Sequence, residues 1–80
     1  MSGAEDFEKR LRFAEEHILM LLDVNSLPRM RHLRTRKTLS EELWPDVADR
    51  AFQSLQEKGL IVQDKECFEI TEQGRKALYR

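Results

Sequence analysis

The apolar residues in the first third of the chain recur at a helical spacing. One stripe consists of Phe7, Leu11, Ala14, Ile18, Leu21 and Leu22. This spacing, close to 3.6 residues, predicts one long amphipathic helix over 4–24. A second apolar stripe runs beside the first and consists of Phe13, Met20 and Val24, with His17 between them. Either the C-terminal half of this helix is buried all round, or the second stripe contacts a second copy of the chain, which would make the protein a homodimer through its N-terminal helix.

Turn and capping signals divide the middle of the chain. The first helix should end at 25–28, because asparagine and serine favour turns and the residue before a proline avoids helical angles. Thr38 and Glu41 have the spacing of a capping box and predict a short helix. A further helix is predicted over 45–58, with proline at its first position and Gly59 as its stop. The residues of this helix that should be buried are Val47, Ala48, Ala51, Phe52 and Leu55.

The last third of the chain has the pattern of a β-hairpin followed by a helix. A β-branched run, a polar turn and an alternating stretch predict a hairpin over 60–70. Its apolar residues Leu60, Val62, Phe68 and Ile70 are expected to cover the core. Thr71 can cap a final helix, predicted over 71–80. The pattern as a whole predicts a mainly α fold with a small β-hairpin (α+β), in one domain over 1–80, because a chain of 80 residues can bury only one small core.

The composition narrows the class of protein. Fourteen basic and 15 acidic residues give a net charge of −1, which excludes a polybasic or polyacidic chain. The single cysteine, Cys67, cannot form an internal disulfide and is interpreted as an inert, half-buried thiol. The longest apolar run is too short for a bilayer span and the N-terminus is acidic, so we expect a cytoplasmic protein with no membrane partner. No metal-ligand spacing and no catalytic constellation occurs, so no cofactor, metal or enzymatic activity is expected.

The small net charge conceals a basic segment at 29–37. These nine residues include five basic residues and no acidic one, namely Arg29, Arg31, Arg34, Arg36 and Lys37. The segments on either side each have a balance of −3. Such a segment could contact the phosphates of nucleic acid, which supply most non-specific affinity. The alternative interpretation is a solvated charge run that pairs with the acidic residues of the first and third helices, either of this chain or of a neighbouring copy.

Two stretches in the second half of the chain have a recognisable pattern. They are residues 52–61, Phe-Gln-Ser-Leu-Gln-Glu-Lys-Gly-Leu-Ile, and residues 68–75, Phe-Glu-Ile-Thr-Glu-Gln-Gly-Arg. Together they resemble the winged helix-turn-helix family, as in MarR-, ArsR- and PadR-type regulators: the first is similar to the end of the family's recognition helix and the second to the end of its wing. The resemblance implies a three-helix core with a wing and a C-terminal helix. Gly59 would then end its helix in a left-handed turn, and Gly74 would allow the last helix to approach the sheet closely.

The position of the second helix stays open at this point. It is either the basic segment itself, or part of one helix over 38–58 that is kinked at Pro45. Trp44 is interpreted as a plug between helices, with an exposed interface anchor as the alternative.

The same resemblance implies that the chain is a DNA-binding transcriptional regulator. The base-reading residues would be Asp46, Asp49, Arg50 and Gln53, the phosphate contacts would come from the basic segment, and Lys65 would lie at the wing tip. Arg50 suits guanine and Gln53 suits adenine, whereas the two aspartates oppose the phosphate field. The alternative function is a winged-helix protein–protein interaction module that does not bind DNA through its acidic recognition helix.

Overall fold

The structure is a computed structural model that describes the backbone of residues 3–79 and the side chains of residues 5–79. Its elements are α1 (Gly3–Val24), a 3-10 helix (Pro28–Leu33), α2 (Arg36–Ser40), α3 (Pro45–Glu57), β1 (Ile61–Asp64), β2 (Cys67–Ile70) and α4 (Glu72–Leu78). The predicted mainly α fold with a two-stranded antiparallel hairpin is therefore confirmed. Arg80, the last residue of the predicted helix over 71–80, lies outside the described residues, as do Met1 and Ser2.

The core lies between α1 and α3 and is closed at one end by the hairpin. All five α3 residues predicted to be buried are buried, because they share one face of the helix. Phe52 of α3 stacks on Phe68 of β2, with 4.9 Å between ring centroids, and joins the helices to the hairpin. Ile18 and Leu22 are the largest fully buried side chains of α1. None of the helices within residues 3–79 has the length and apolar character needed to cross a bilayer.

The second apolar stripe of α1 is exposed. Phe13 is 62% exposed, Met20 48% and Val24 60%, so the interpretation that this half of the helix is buried all round is wrong. The physical reason is that α3 packs on the opposite side of α1, where Ala14 and Ile18 are fully buried.

The second helix begins and ends where neither sequence interpretation placed it. Thr35, not Thr38, is the N-cap, and its Oγ1 accepts a hydrogen bond of 3.2 Å from the backbone N–H of Thr38. Thr35 is in an extended conformation and forms a β-bridge with Cys67, so the chain leaves the hairpin edge and enters α2 at Arg36. The basic segment is thus divided between the 3-10 helix and the first turn of α2. A turn over 41–44 separates α2 from α3, so no helix continues from 38 to 58.

The hairpin is built on a two-residue turn. Asp64 pairs with Cys67, and Lys65 at the turn has a φ of 59°, a left-handed conformation typical of tight hairpin turns. The expectation that Val62 covers the core is wrong. Successive side chains of a strand point to opposite faces, and here Ile61 faces the core, so Val62 faces solvent.

Gly59 and Gly74 have the backbone roles that the sequence predicted for them. Gly59 has a φ of 72°, and the N–H of Leu60 reaches back to the Leu55 carbonyl at 2.9 Å, as in a helix that ends in a left-handed residue. A Cβ at Gly74 would lie 2.2 Å from the carbonyl oxygen of Leu60, so α4 can approach the hairpin only without a side chain there. Thr71 caps α4 as predicted, accepting a hydrogen bond of 3.0 Å from the Gly74 N–H.

Candidate functional site

The exposed side of α3 brings together all four residues predicted to read bases. Their spacing of three, four and seven residues places Asp46, Asp49, Arg50 and Gln53 on one side of the helix, opposite the buried stripe. With Gln56 and Glu57, which are also exposed, they form what we call the α3 face. An open hollow of about 660 Å³ lies on this face and is lined by Arg36, Asp49, Gln53, Gln56 and Glu57.

Arg36 crosses from α2 to the α3 face. Its Nη1 lies 3.1 Å from Oδ1 of Asp49, forming an ion pair, and its Cζ lies 4.4 Å from the centroid of the Phe52 ring. Both contacts follow from the position of Arg36 as the first residue of α2, directly after the Thr35 cap. Arg36 therefore neutralises one carboxylate of the α3 face.

The remaining polar side chains of the face bond to one another along the helix. Arg50 donates to Oε1 of Gln53 at 3.4 Å, and Gln53 donates to Oε2 of Glu57 at 3.4 Å. The α3 face carries three carboxylates, those of Asp46, Asp49 and Glu57, and one guanidinium, that of Arg50. Even with Arg36 added, the acids outnumber the bases by three to two.

Arg31, another predicted phosphate contact, pairs with the hairpin. Its Nη1 lies 3.1 Å from Oδ2 of Asp64, and its Nη2 donates to the Asp64 carbonyl at 3.2 Å. The hydrogen bond to Asp64 raises the pKa of Arg31 further above its usual value, because it favours the charged guanidinium. The Arg31 carbonyl in turn accepts a hydrogen bond of 3.3 Å from the thiol of Cys67, which is buried rather than half-buried. Arg31 thus joins the 3-10 helix to both ends of the hairpin turn.

The prediction that Arg34 contacts phosphate is wrong, because Arg34 is a structural residue. It is only 4% exposed, and its Nη1 donates to the carbonyl oxygens of Asn25 at 2.6 Å and Leu27 at 2.8 Å. Its own carbonyl accepts a hydrogen bond of 3.0 Å from the N–H of Phe68. A guanidinium that holds the α1–3-10 loop from inside cannot contact a phosphate at the surface.

Two residues of the basic segment stay exposed and have no ion pair within the described part of the chain, namely Arg29 and Lys37. Lys65 is also exposed, at the tip of the hairpin. The interpretation of the segment as a charge run with internal partners is correct for the third helix, through Asp49. It missed the hairpin, through Asp64. Within the described residues of this chain the first helix does not pair with the segment, because its Glu15 and Asp23 pair with Lys58 and Arg75.

Trp44, which directly precedes α3, is 58% exposed, so its interpretation as a plug between helices is wrong. The guanidinium carbon of Arg10 lies 4.5 Å from the centroid of its ring, a cation–π contact that covers one face of the indole. An exposed tryptophan is the residue type most enriched among interface anchors.

The α3 face, its hollow and Arg36, which pairs with Asp49 there, form the candidate site of this protein. Neither a protein-family model, nor a curated protein, nor a solved structure matches the chain.

Proposed function

We propose that the chain is a winged-helix module that binds a protein partner through the α3 face rather than duplex DNA. The order of α1, α2, turn, α3, hairpin and α4 supports the winged-helix architecture. The bridge between Thr35 and Cys67 supports it further, because it adds a short third extended segment to the hairpin edge. The hairpin then corresponds to the wing, and α3 to the helix that would enter a groove.

The single observation that carries the proposal is the internal neutralisation of the basic segment. Arg31 and Arg36 pair with carboxylates, and Arg34 is buried. DNA binding proteins that rely on phosphate contacts need a net positive surface, because affinity comes from neutralised phosphates and released counterions. The α3 face instead presents more carboxylates than guanidinium groups to whatever approaches it.

The strength of the ion pairs is not what excludes phosphate. Exposed pairs of this kind are worth at most about 1 kcal/mol, so a phosphate could displace a carboxylate from Arg36. Such an exchange would leave Asp49 unpaired and facing the phosphate, since both lie on the same hollow. The exchange would therefore leave a carboxylate without a cationic partner next to the phosphate. The net charge of the α3 face would be the same as before.

The chemistry of the face fits a segment rich in lysine or arginine. The hollow provides Oδ2 of Asp49 and Oε1 of Glu57 for cationic side chains, the carboxylate oxygens that Arg36 and Gln53 do not bond within the described residues, and the amides of Gln53 and Gln56 for backbone groups. The hollow is open to solvent, so it offers a shallow polar surface rather than an enclosed cavity. Electrostatic attraction between the acidic face and a basic segment raises the association rate. The attraction weakens as the salt concentration rises, because salt screens exposed charges.

A charge-reversal experiment tests the DNA side of the proposal. Fluorescence anisotropy with a labelled random-sequence duplex at about 20 mM salt should detect no saturable binding by the natural chain. The double variant Asp46→Lys with Asp49→Lys should gain binding, because four units of charge change on the α3 face. The control is Glu8→Lys with Glu5→Lys, which makes the same charge change on α1 and should not gain comparable binding. Tight, saturable binding by the natural chain would contradict the proposal.

A titration with a short Lys- and Arg-rich peptide tests the protein side. Amide NMR shifts should concentrate at Asp49, Gln53 and Glu57 and should disappear in Asp49→Lys. They should persist in Glu8→Lys, which has the same charge change on α1. Shifts spread evenly over every acidic residue would show general charge attraction and would contradict a defined binding face.

Duplex DNA is the second candidate, and one observation favours it. Arg50 and Gln53, the two side chains best suited to guanine and adenine, lie side by side on the α3 face. Nη1 of Arg50 lies 3.4 Å from Oε1 of Gln53. Arg29, Lys37 and Lys65 would then be the phosphate contacts. Under this candidate, Arg50→Ala would lower the affinity for a duplex, whereas under the main proposal there is no duplex affinity to lower.

A further inference from the structure

Arg34 is a buried cation without a carboxylate partner. It is 4% exposed, and it forms no ion pair within the described residues. The hydrogen bonds from its Nη1 go to neutral acceptors, the carbonyl oxygens of Asn25 and Leu27. Arginine is almost never fully buried unless its charge is paired, because an ion loses its hydration on burial. The Arg34 guanidinium therefore needs a compensating negative charge.

The carboxyl end of α1 compensates only part of this charge. The helix ends at Val24, directly before Asn25, and its macrodipole is equivalent to roughly half a negative charge at this end. Nε of Arg34 is, in addition, a buried donor with no hydrogen-bond partner within the described residues. A buried donor without an acceptor costs free energy. A group that brings both an acceptor and a negative charge would therefore stabilise Arg34.

A small cavity beside Arg34 has the size for such a group. Its volume is about 60 Å³, which equals that of about two waters at ~30 Å³ each and suits one small anion rather than an organic molecule. Leu22 and Arg34 are buried and form its floor, whereas the exposed side chains at its rim leave it open to solvent. The lining residues are Leu22, Ser26, Arg34, Glu69, Ile70 and Arg75.

The donors around the cavity favour an anion over water. Besides Arg34, the cavity is lined by Arg75 and Ser26, whose guanidinium and hydroxyl groups donate hydrogen bonds. Arg75 uses its Nε for Oδ1 of Asp23, at 3.1 Å, which leaves its two terminal nitrogens for a further acceptor. A water could accept a hydrogen bond from Nε of Arg34, but it would leave the charge uncompensated. An anion would satisfy the donor and the charge together.

We propose that this cavity binds a monovalent inorganic anion of the size of chloride, held by Nε of Arg34, the guanidinium of Arg75 and the hydroxyl of Ser26. One negative charge suits the site, because Arg75 is already paired with Asp23 and Arg34 is not paired. Glu69 lies at the rim and forms no ion pair within the described residues, so its carboxylate opposes a second negative charge. A phosphate dianion is therefore bound more weakly than chloride.

The bound anion links parts of the chain that are distant in sequence. The cavity is lined by residues from the end of α1 and the loop after it, from β2 and from α4. A ligand that binds only the folded chain stabilises it by mass action, so the anion stabilises this junction. The proposal does not depend on what the α3 face binds, because the cavity and that face share no residue.

Thermal unfolding of the full chain tests the proposal. Chloride replaces gluconate, an anion too large for the cavity, at a constant total salt of about 0.3 M, so that screening stays the same. Chloride at about ten times its dissociation constant should raise the folded-to-unfolded ratio about 11-fold. For a domain of this length that is a rise in melting temperature of about 6–11 °C. A melting temperature that does not depend on chloride would overturn the proposal.

Two arginine variants distinguish the cavity from a general salt effect. Arg34→Met removes both the charge and the Nε donor, and it should abolish the chloride-dependent rise in melting temperature. Arg29→Met removes the same charge at an exposed position outside the cavity and should keep the full rise. The same chloride-dependent rise in both variants would show that the anion does not bind at Arg34.

Two glutamate variants test the position of the anion in chains that keep Arg34. Glu69→Gln removes the carboxylate at the rim and should lower the dissociation constant for chloride about threefold, the effect of one like charge several ångströms away in water. Glu66→Gln makes the same change in the hairpin turn, outside the cavity, and should change the constant less. Equal constants for the two variants would contradict a site beside Glu69.

The line width of the chloride NMR signal measures binding directly, at a temperature at which circular dichroism shows every variant to be folded. The natural chain should broaden the signal, and Arg34→Met should not. Phosphate added at equal ionic strength should leave the broadening in place, because the site suits one negative charge. Displacement of chloride by an equal concentration of phosphate would contradict that charge balance. No broadening by the natural chain would show that the cavity holds water only and would overturn the proposal.

Discussion

Replacing Arg34 by methionine tests whether the basic segment contains a structural residue. Methionine keeps most of the unbranched stem but removes the donor that satisfies the carbonyl oxygens of Asn25 and Leu27 at 2.6 and 2.8 Å. The variant also removes a buried charge whose Nε has no partner within the described residues, which offsets part of the loss. Arg34→Met therefore isolates the hydrogen bonds from the packing.

The expected loss in the free energy of unfolding follows from the carbonyl groups of Asn25 and Leu27, which lose their donor. A buried acceptor left without a donor costs about 1–3 kcal/mol, and two would cost about 2–6 kcal/mol if water could not reach them. Leu27 is partly exposed, so water reaches its side of the loop and the lower part of that range applies, about 2 kcal/mol. A domain of this length has a total stability of roughly 4–12 kcal/mol, so the change is a substantial fraction of it.

Urea unfolding followed by circular dichroism is the assay. With a slope near ~1 kcal/mol per molar urea, as for small domains, the midpoint should fall by about 2 M in Arg34→Met. Arg29→Met removes the same charge at an exposed position and should change the midpoint by no more than about 0.5 M, as is usual for a surface substitution. Equal midpoints for the two variants would refute the structural role of Arg34.

Three further predictions follow from the contacts of α4 and α2. Gly74→Ala should lower the free energy of unfolding by about 1–3 kcal/mol, because its Cβ would lie 2.2 Å from the Leu60 carbonyl oxygen and 2.7 Å from Cγ1 of Ile70. Thermal unfolding should show this loss, although alanine favours helices, and a gain in melting temperature would contradict it. The hydrogen bond from Tyr79 and the interactions with Arg75 lower the pKa of Asp23, so this cluster stabilises the fold above pH ~4 and the stabilisation is lost as the pH falls through the folded-state pKa. Tyr79→Phe should therefore lose less stability than the natural chain between pH ~5 and ~2, and identical acid unfolding curves would argue against the contact. Thr35→Ala should cost about 1 kcal/mol through loss of the α2 cap, whereas Thr38→Ala should cost less because Thr38 is not the cap; urea midpoints in the reverse order would contradict the observed start of α2.

The elements that depend on local pattern were predictable from the sequence. The bounds of α1 and α3 follow from helical periodicity with proline and glycine at the ends, and Gly59 and Gly74 have the conformational roles expected of them. The residue that caps α2 was not predictable. Thr35 and Thr38 both precede suitable helical residues, and the choice depends on the bridge from Thr35 to Cys67, which is 32 residues away in sequence.

The candidate site depends on contacts that no local pattern contains. The five cations of the basic segment look equivalent in sequence, yet Arg31 pairs with Asp64, Arg36 pairs with Asp49 and Arg34 is buried. These contacts can be predicted only if it is known which elements pack together. Charge balance over nine residues therefore overestimated the positive surface, whereas the acidic character of α3 could be read directly from Asp46 and Asp49.

Arginine side-chain NMR tests the central claim most directly, namely that exposed cations of the basic segment are held by the protein's own carboxylates. The Nε–Hε signals of Arg31 and Arg36 can be followed while a random-sequence duplex is added at low salt. We predict that both signals stay unchanged, because replacing Asp64 or Asp49 by a phosphate would leave an unpaired carboxylate beside that phosphate. Saturable shifts of both signals, reversed by salt, would show that phosphate replaces the carboxylates and would contradict the account.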